Sequence, residues 1–192
     1  MLRRVLCWAA RASDSTDEAC EPSGAWNRGK FMKHNTDPAF KGVQAIKDAQ
    51  AKTLALFESS ADKGDWMRIH EEHYDWWMFP TDEPSGFGLA WTVYEGDIAD
   101  LKTDAAYLER YLRGVRILAT SWGWDLAAAS EIANPQPGQA WQHWPIRLFK
   151  AAKSTKLFGF DQEFASLKKL GNLLMSQGET MYYHRDLSWL FK

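Results

Sequence analysis

From residue 37 to 178 apolar positions recur at steps of three and four, in runs broken by glycine, proline and acidic residues. That pattern predicts amphipathic helices joined by loops. Asp37 is placed to cap the first helix and Pro38 suits its first turn; Phe40, Val43, Ile46, Gln50, Leu54 and Phe57 then follow one face to Ser60. A second helix is expected from Asp65, with Trp66, Ile69, His73 and Trp77 inward and Pro80 forcing its end. Residues 81–96 read as loop with a short extended candidate at 92–94, and Asp97 as the cap of a single turn to Leu101. Thr103 or Asp104 opens the strongest periodicity, carried by Tyr107, Leu108, Tyr111, Val115, Leu118 and Trp122 and closed by Gly123. A brief helix over 127–133 precedes the Asn-Pro-Gln-Pro-Gly break. Trp144-Pro145 restarts a helix through Leu148, Phe149 and Ala152 to Phe158, ended by Gly159. Asp161 caps the last, with Phe164, Leu167, Leu170 and Leu174 inward and Gly178 as terminator. The expected fold class is all-α, a compact bundle of about six helices with long aromatic-rich loops.

This periodicity sets the organisation. Residues 1–36 lack it and read as a flexible extension; 37–178 form the helical domain; 179–192 are an aromatic tail with Tyr182, Tyr183, Trp189, Leu190 and Phe191. The first thirteen residues carry three arginines and no acid, the composition of an organellar targeting segment. An intracellular location follows as the expectation, cytoplasmic or, if that leader is a targeting signal, organellar. Cys7 and Cys20 make neither a disulfide framework nor a zinc spacing. No run reaches the 18 or so apolar residues of a membrane-spanning helix. A net charge of −2 lacks the basic surplus that phosphate contacts need, which argues against nucleic acid as a partner.

Composition sharpens one segment. The chain holds 11 Trp, 10 Phe and 6 Tyr, and Tyr74, Trp76, Trp77 and Phe79 run together into Pro80 before an acidic turn closed by Pro84, Ser85 and Gly86. At roughly 200 Å² each, burying four such rings is worth on the order of 20 kcal/mol gross, comparable to the net stability of a domain. The segment is therefore a hinge of the core or a docking surface. Trp77 and Phe79 fit the first role; Trp76, off the inward stripe, fits the second, as do Trp124, Trp141 and the tail with Trp189.

The stretch Trp77-Met78-Phe79-Pro80, then Glu83-Pro84-Ser85, resembles the conserved region of the opioid growth factor receptor family. That family's hallmark is a helix with Tyr-Ile-Gln-Trp-Leu-Phe-Pro followed by a Leu-Pro-Glu-Pro-Ser turn. Tyr74, Trp77, Phe79, Pro80, Glu83, Pro84 and Ser85 fall on matching positions, while Asp75 and Trp76 replace Ile-Gln and Glu72 stands where the family has histidine. Residues 107–123 and 146–165 agree in order and distance, so the resemblance covers about residues 26–175. It implies a compact α-helical domain; vertebrate members of the family are linked to binding an enkephalin peptide.

Two function classes follow. The leading one is a non-enzymatic domain that binds a protein or peptide through its aromatic surface, or an accessory subunit of a larger assembly. Its candidate binding residues are Trp76, Trp77, Phe79, Glu83, Ser85, His143, Arg147 and Trp189. The other is a small hydrolase or metal-dependent enzyme using His73, Asp75, Glu83 and His143. His70 and His73 stand three apart, not at the zinc-protease spacing, and neither a metal nor a cofactor is expected; His73 is read as core-facing and His70 as solvated. Arg147, Lys150, Lys153 and Lys156 recur every third residue and read as a solvated basic face opposite Leu148 and Ala152. A buried Glu83–Arg147 pair is expected to pin the acidic turn to that helix.

Overall fold

The computed structural model describes residues 32–192; most of the expected extension, with Cys7, Cys20 and the arginine-rich leader, lies outside the described residues. Among the described residues there are five α-helices and one small hairpin. These are α1 (Val43–Asp62), α2 (Glu95–Lys102), α3 (Ala105–Ser121), the strands β1 (Trp124–Asp125) and β2 (Ser130–Glu131), α4 (Pro145–Phe158) and α5 (Asp161–Ser176). The molecule is mainly α, with fewer helices than the expected six. No described helix is long and apolar enough to cross a membrane.

Helix α1 packs on α3 and α4 on α5. The predicted stripe on α1 is the one buried, with Ile46, Gln50, Leu54 and Phe57 inward. Its start is later than expected, because Asp37 spends its carboxylate on the Ala39 N–H in a local turn and Gly42 takes the position before the helix. On α3 the cap is Asp104, whose carboxylate accepts the Tyr107 N–H at 2.9 Å. Tyr107 and Tyr111 reach across to Phe158 of α4, the Tyr111 ring stacking on it at 5.0 Å. Helix α4 begins with Pro145 and ends at Gly159, left-handed at φ 77°, as the sequence pattern indicates.

Helix α2 is two turns long and secured from outside. Asp97, in its first turn rather than at its cap, accepts the Tyr94 N–H and the Asn35 N–H, each at 2.9 Å. Asn35 in turn donates to the carbonyls of Leu89 and Thr92. Residues 32–36 are thus tied to the start of α2.

Two expected helices are absent. Over 127–133 the chain forms the β1–β2 hairpin, in which Trp124 faces Glu131 and Asp125 faces Ser130. The Asp125 carboxylate accepts the Ala127 and Ala128 N–H groups and folds the loop, a local competition that aspartate wins against helix. Buried Trp124 donates to Ser166 Oγ of α5 at 3.0 Å, which anchors the hairpin.

The expected helix from Asp65 is reduced to a 3-10 turn at Met67–His70. Beyond it the carbonyls of His70 and Glu72, which a helix would pair with N–H groups four residues on, accept instead from the Arg147 guanidinium at 2.9 and 3.2 Å. This changes which side chains face inward. His70 is buried and His73 exposed, the reverse of the helical expectation; Tyr74, Met78 and Phe79 are fully buried, and Trp76 and Trp77 only half so.

The tail turns back over α5. Met181, Leu187, Leu190 and Phe191 are buried, leaving Tyr182, Tyr183 and Trp189 about half exposed. Phe191 reaches the α5 backbone at Gly171, where a Cβ would sit 2.4 Å from its ring.

Candidate functional site

A cavity of about 370 Å³ opens where four segments meet: 73–76, the acidic turn 81–86, the first half of α4, and the tail at 183–185. Its walls are aromatic at Trp76, Trp144, Phe149 and Tyr183, and carry the ionic groups Asp75, Glu83, Arg147, Lys150 and Arg185. That size and mixture match sites that take a small molecule or one or two side chains.

The α4 cations were expected in water. They are instead the buried face of the helix: Arg147 is 4% exposed and Lys150 and Lys153 are each 8% exposed, while Lys156 alone is out. Steps of three keep these residues within one side of a helix over two turns, and that side faces the Trp-rich segment and the acidic turn. Lys150 Nζ lies 2.6 Å from Asp75 and 4.8 Å from the centre of the Trp76 ring. Lys153 meets Asp82 at 2.7 Å and also Glu83, which a second cation, Arg185 of the tail, approaches from the other side. Arg147 has no carboxylate within salt-bridge distance among the described residues. Its Cζ lies 4.9 Å from the Tyr74 ring centre and 4.8 Å from that of Trp144, and its hydrogen bonds go to the two carbonyls and the His70 ring.

The expected Glu83–Arg147 pair is therefore not made. Glu83 is taken by Lys153 and Arg185, and Arg147 by backbone oxygens. Burial raises the Glu83 carboxyl, but the hydrogen bonds and charges of Lys153 and Arg185 outweigh it and hold it below the ordinary carboxylate range. Burial lowers the Lys150 ammonium below its usual value, with Asp75 opposing.

His70 connects the cavity wall to α3. Arginine only donates, so the His70 Nδ1 that faces Arg147 Nη1 at 3.4 Å is an acceptor. Nε2 then carries the proton and donates to Ser121 Oγ at 3.0 Å, and Ser121 donates to Leu118 O. Burial, then the Arg147 charge, push the His70 pKa down to about 4. An unfolded-chain histidine titrates near 6.5, so between those values the unfolded state binds more protons. Stability is full above about pH 6.5 and falls as pH drops toward 4, by about 3 kcal/mol from this residue. Chemical denaturation across that range should show the slope, and His70→Gln should flatten it; parallel slopes in the two proteins would remove the assignment to His70.

Of the sequence-selected residues, His73, Asp75, Trp76, Glu83, Ser85 and Arg147 line the cavity. Trp77 does not: it donates to Thr53 Oγ1 at 2.8 Å and packs on Trp91. Phe79 is fully buried against Tyr111. Trp189 packs on the far side of Phe149, its ring centre 5.6 Å away. His143 points elsewhere and pairs with Glu179 at 2.8 Å. Three residues of the enzyme reading, His73, Asp75 and Glu83, thus line one cavity while His143 lies outside it; Asp75 is held by Lys150, and Glu83 by Lys153 and Arg185. Among the described residues no three His, Cys, Asp or Glu side chains are grouped to hold a metal ion.

Trp144, Phe149, Lys150, His184 and Arg185 are not among the expected site residues, whereas Tyr183 belongs to the tail expected to dock a partner. For Lys150 the one signal was its step of three from Arg147, which does not separate a buried face from a wet one. For His184 and Arg185 there was none, because they follow the last helix terminator. There His184 sits in the left-handed region at φ 56°, which turns the chain and sends Arg185 back to Glu83.

Comparison with protein-family models, curated proteins and solved structures returns no match to this chain.

Proposed function

We propose that this chain is a non-enzymatic binding domain, or the accessory subunit of a larger assembly, that holds a protein or peptide partner by an apolar side chain seated in the cavity. The observation that carries this reading is where the exposed rings lie. Trp144 at 43% and Tyr183 at 45% exposure form the cavity wall; Phe87 at 55% packs on Trp76, and Trp189 at 49% packs on Phe149. Two half-exposed aromatics in the wall of one concavity, with two more packed against its lining rings, match the composition of an interface centre. Their supporting rings, fully or half buried behind them, keep the surface rigid, which lowers the ordering cost of binding. The resemblance to the opioid growth factor receptor conserved region belongs to the same proposal, since Trp77, Phe79 and Pro80 hold the turn that carries Glu83 and Ser85 to the cavity.

The test is affinity purification from the native host with wild type and a Trp144→Ala/Tyr183→Ala variant as paired baits. Both rings are half exposed, so the variant is expected to keep most of its stability, checked by thermal melting, and to lose a partner that wild type retains. Identical recoveries from two equally folded baits would defeat the proposal.

A further inference from the structure

Arg147 is the least compensated charge in the cavity wall. A cation at 4% exposure ordinarily carries a paired anion, because its desolvation is otherwise unrelieved. Lys150 has Asp75, Lys153 has Asp82 and Glu83, and Arg185 has Glu83. Arg147 has no carboxylate among the described residues.

Its donors are also only partly used. Nη1 serves the His70 carbonyl and ring, and Nη2 donates one bond to the Glu72 carbonyl. Nε makes no hydrogen bond among the described residues and Nη2 uses one of its two protons, so donors on the Nε–Nη2 side keep free capacity. The neighbouring Tyr74 hydroxyl, fully buried, meets no partner at good hydrogen-bond geometry, although the Arg147 guanidinium lies close enough to oppose the rise that burial gives its pKa. Two parallel N–H donors on a fixed plane are the complement of one carboxylate.

The geometry points to Arg147 as a carboxylate-binding group of this cavity, taking an acidic peptide segment whose carboxylate lies beside an aromatic ring. This rests on the peptide-binding reading above and adds the chemistry of the bound segment. Charge and shape select that occupant together. The wall offers three fixed cations against two carboxylates, both already paired, so incoming negative charge meets a net positive surface. Trp76, Trp144, Phe149 and Tyr183 surround the remaining space with rings that stack on another ring.

Two matched probe pairs test this on the wild-type protein by tryptophan fluorescence titration. They are N-acetylphenylalanine against its amide, for a terminal carboxylate, and acetyl-Asp-Phe-amide against acetyl-Asn-Phe-amide, for a side-chain carboxylate. At least one acid is expected to bind tenfold or more tightly than its partner, and the tighter pair identifies the source of the carboxylate. The Arg147 Nε–H resonance should move with that acid and stay with its amide. Arg147→Lys keeps charge and loses the edge, so a folded variant should lose the preference. Equal binding of acid and amide in both pairs, an unmoved Nε–H signal, or an undiminished preference in a folded Arg147→Lys variant would overturn the assignment. The outcomes separate the two proposals. Acid preference without a host partner removes the protein-partner reading and leaves Arg147 as a carboxylate site; a cavity-dependent partner without acid preference does the opposite.

Discussion

Asp75→Asn is expected to destabilise the fold by about 3 kcal/mol, because it leaves the Lys150 ammonium buried without its counter-charge. Both side chains are nearly sealed from water, and Nζ–Oδ2 contact at 2.6 Å is the only carboxylate pairing Lys150 makes among the described residues. The Trp76 ring beside the ammonium relieves part of the loss but does not replace an anion. Lys150→Met removes the need for the anion, and its straight apolar chain fits the same groove on α4. The double variant Asp75→Asn/Lys150→Met should therefore recover most of the loss, since an apolar replacement of a buried pair is often neutral. Urea unfolding of the two singles and the double gives the coupling directly. A single Asp75→Asn variant within about 0.5 kcal/mol of wild type would show that this pair is solvated in solution, like an ordinary surface pair.

The second large effect concerns the end of the chain. Phe191→Ala is expected to cost about 3–5 kcal/mol, the range for emptying a buried phenylalanine site. The ring is fully buried and sits on bare backbone at Gly171. Asn172 Nδ2 holds the Phe191 carbonyl at 2.8 Å and Lys168 the Lys192 carbonyl at 2.8 Å, so the residue is fixed from both sides. Gly171→Ala approaches the same contact from the helix. Alanine favours helix by about 1 kcal/mol over glycine, but its Cβ would lie 2.4 Å from the Phe191 ring. Overpacking should win, for a net loss of about 1–3 kcal/mol. In a Phe191→Ala background the clash is gone and Gly171→Ala should stabilise. Thermal melts of the four proteins show this change of sign; a Gly171→Ala effect of the same sign in both backgrounds would mean that the ring does not rest on the helix.

Local signals in the chain were sufficient for the buried stripes of α1, α3, α4 and α5, though Asp37 and Asp161 do not cap α1 and α5 as expected. Each has an uninterrupted stripe and a distinct end, such as Asp104 before α3 or Gly159 after α4. They failed where a partner distant in sequence decides the backbone. Nothing near His70 shows that Arg147 will take its carbonyl, and without that bond the 65–77 stripe reads as helix and places His73 inward. The same distance hid the site. A step of three from Arg147 to Lys150 to Lys153 is equally a wet face and a buried one until Asp75, Asp82 and Glu83 are known to lie opposite. Trp76 was separable from Trp77 by period alone, though the helix used to separate them does not form. The tail was legible as aromatic, but its docking on Gly171 was not, because a glycine within a helix carries no record of what approaches it.

The ties that close the cavity join residues far apart in the chain. Arg147 and His70 are 77 positions apart, Lys150 and Asp75 are 75, and Arg185 and Glu83 are 102. Closing loops of that length costs entropy before any contact repays it, whereas the helices need only neighbours. The cavity is accordingly expected to form late in folding, on helices already made. Amide exchange at its rim should outpace that within α3, whose backbone hydrogen bonds are helical and local.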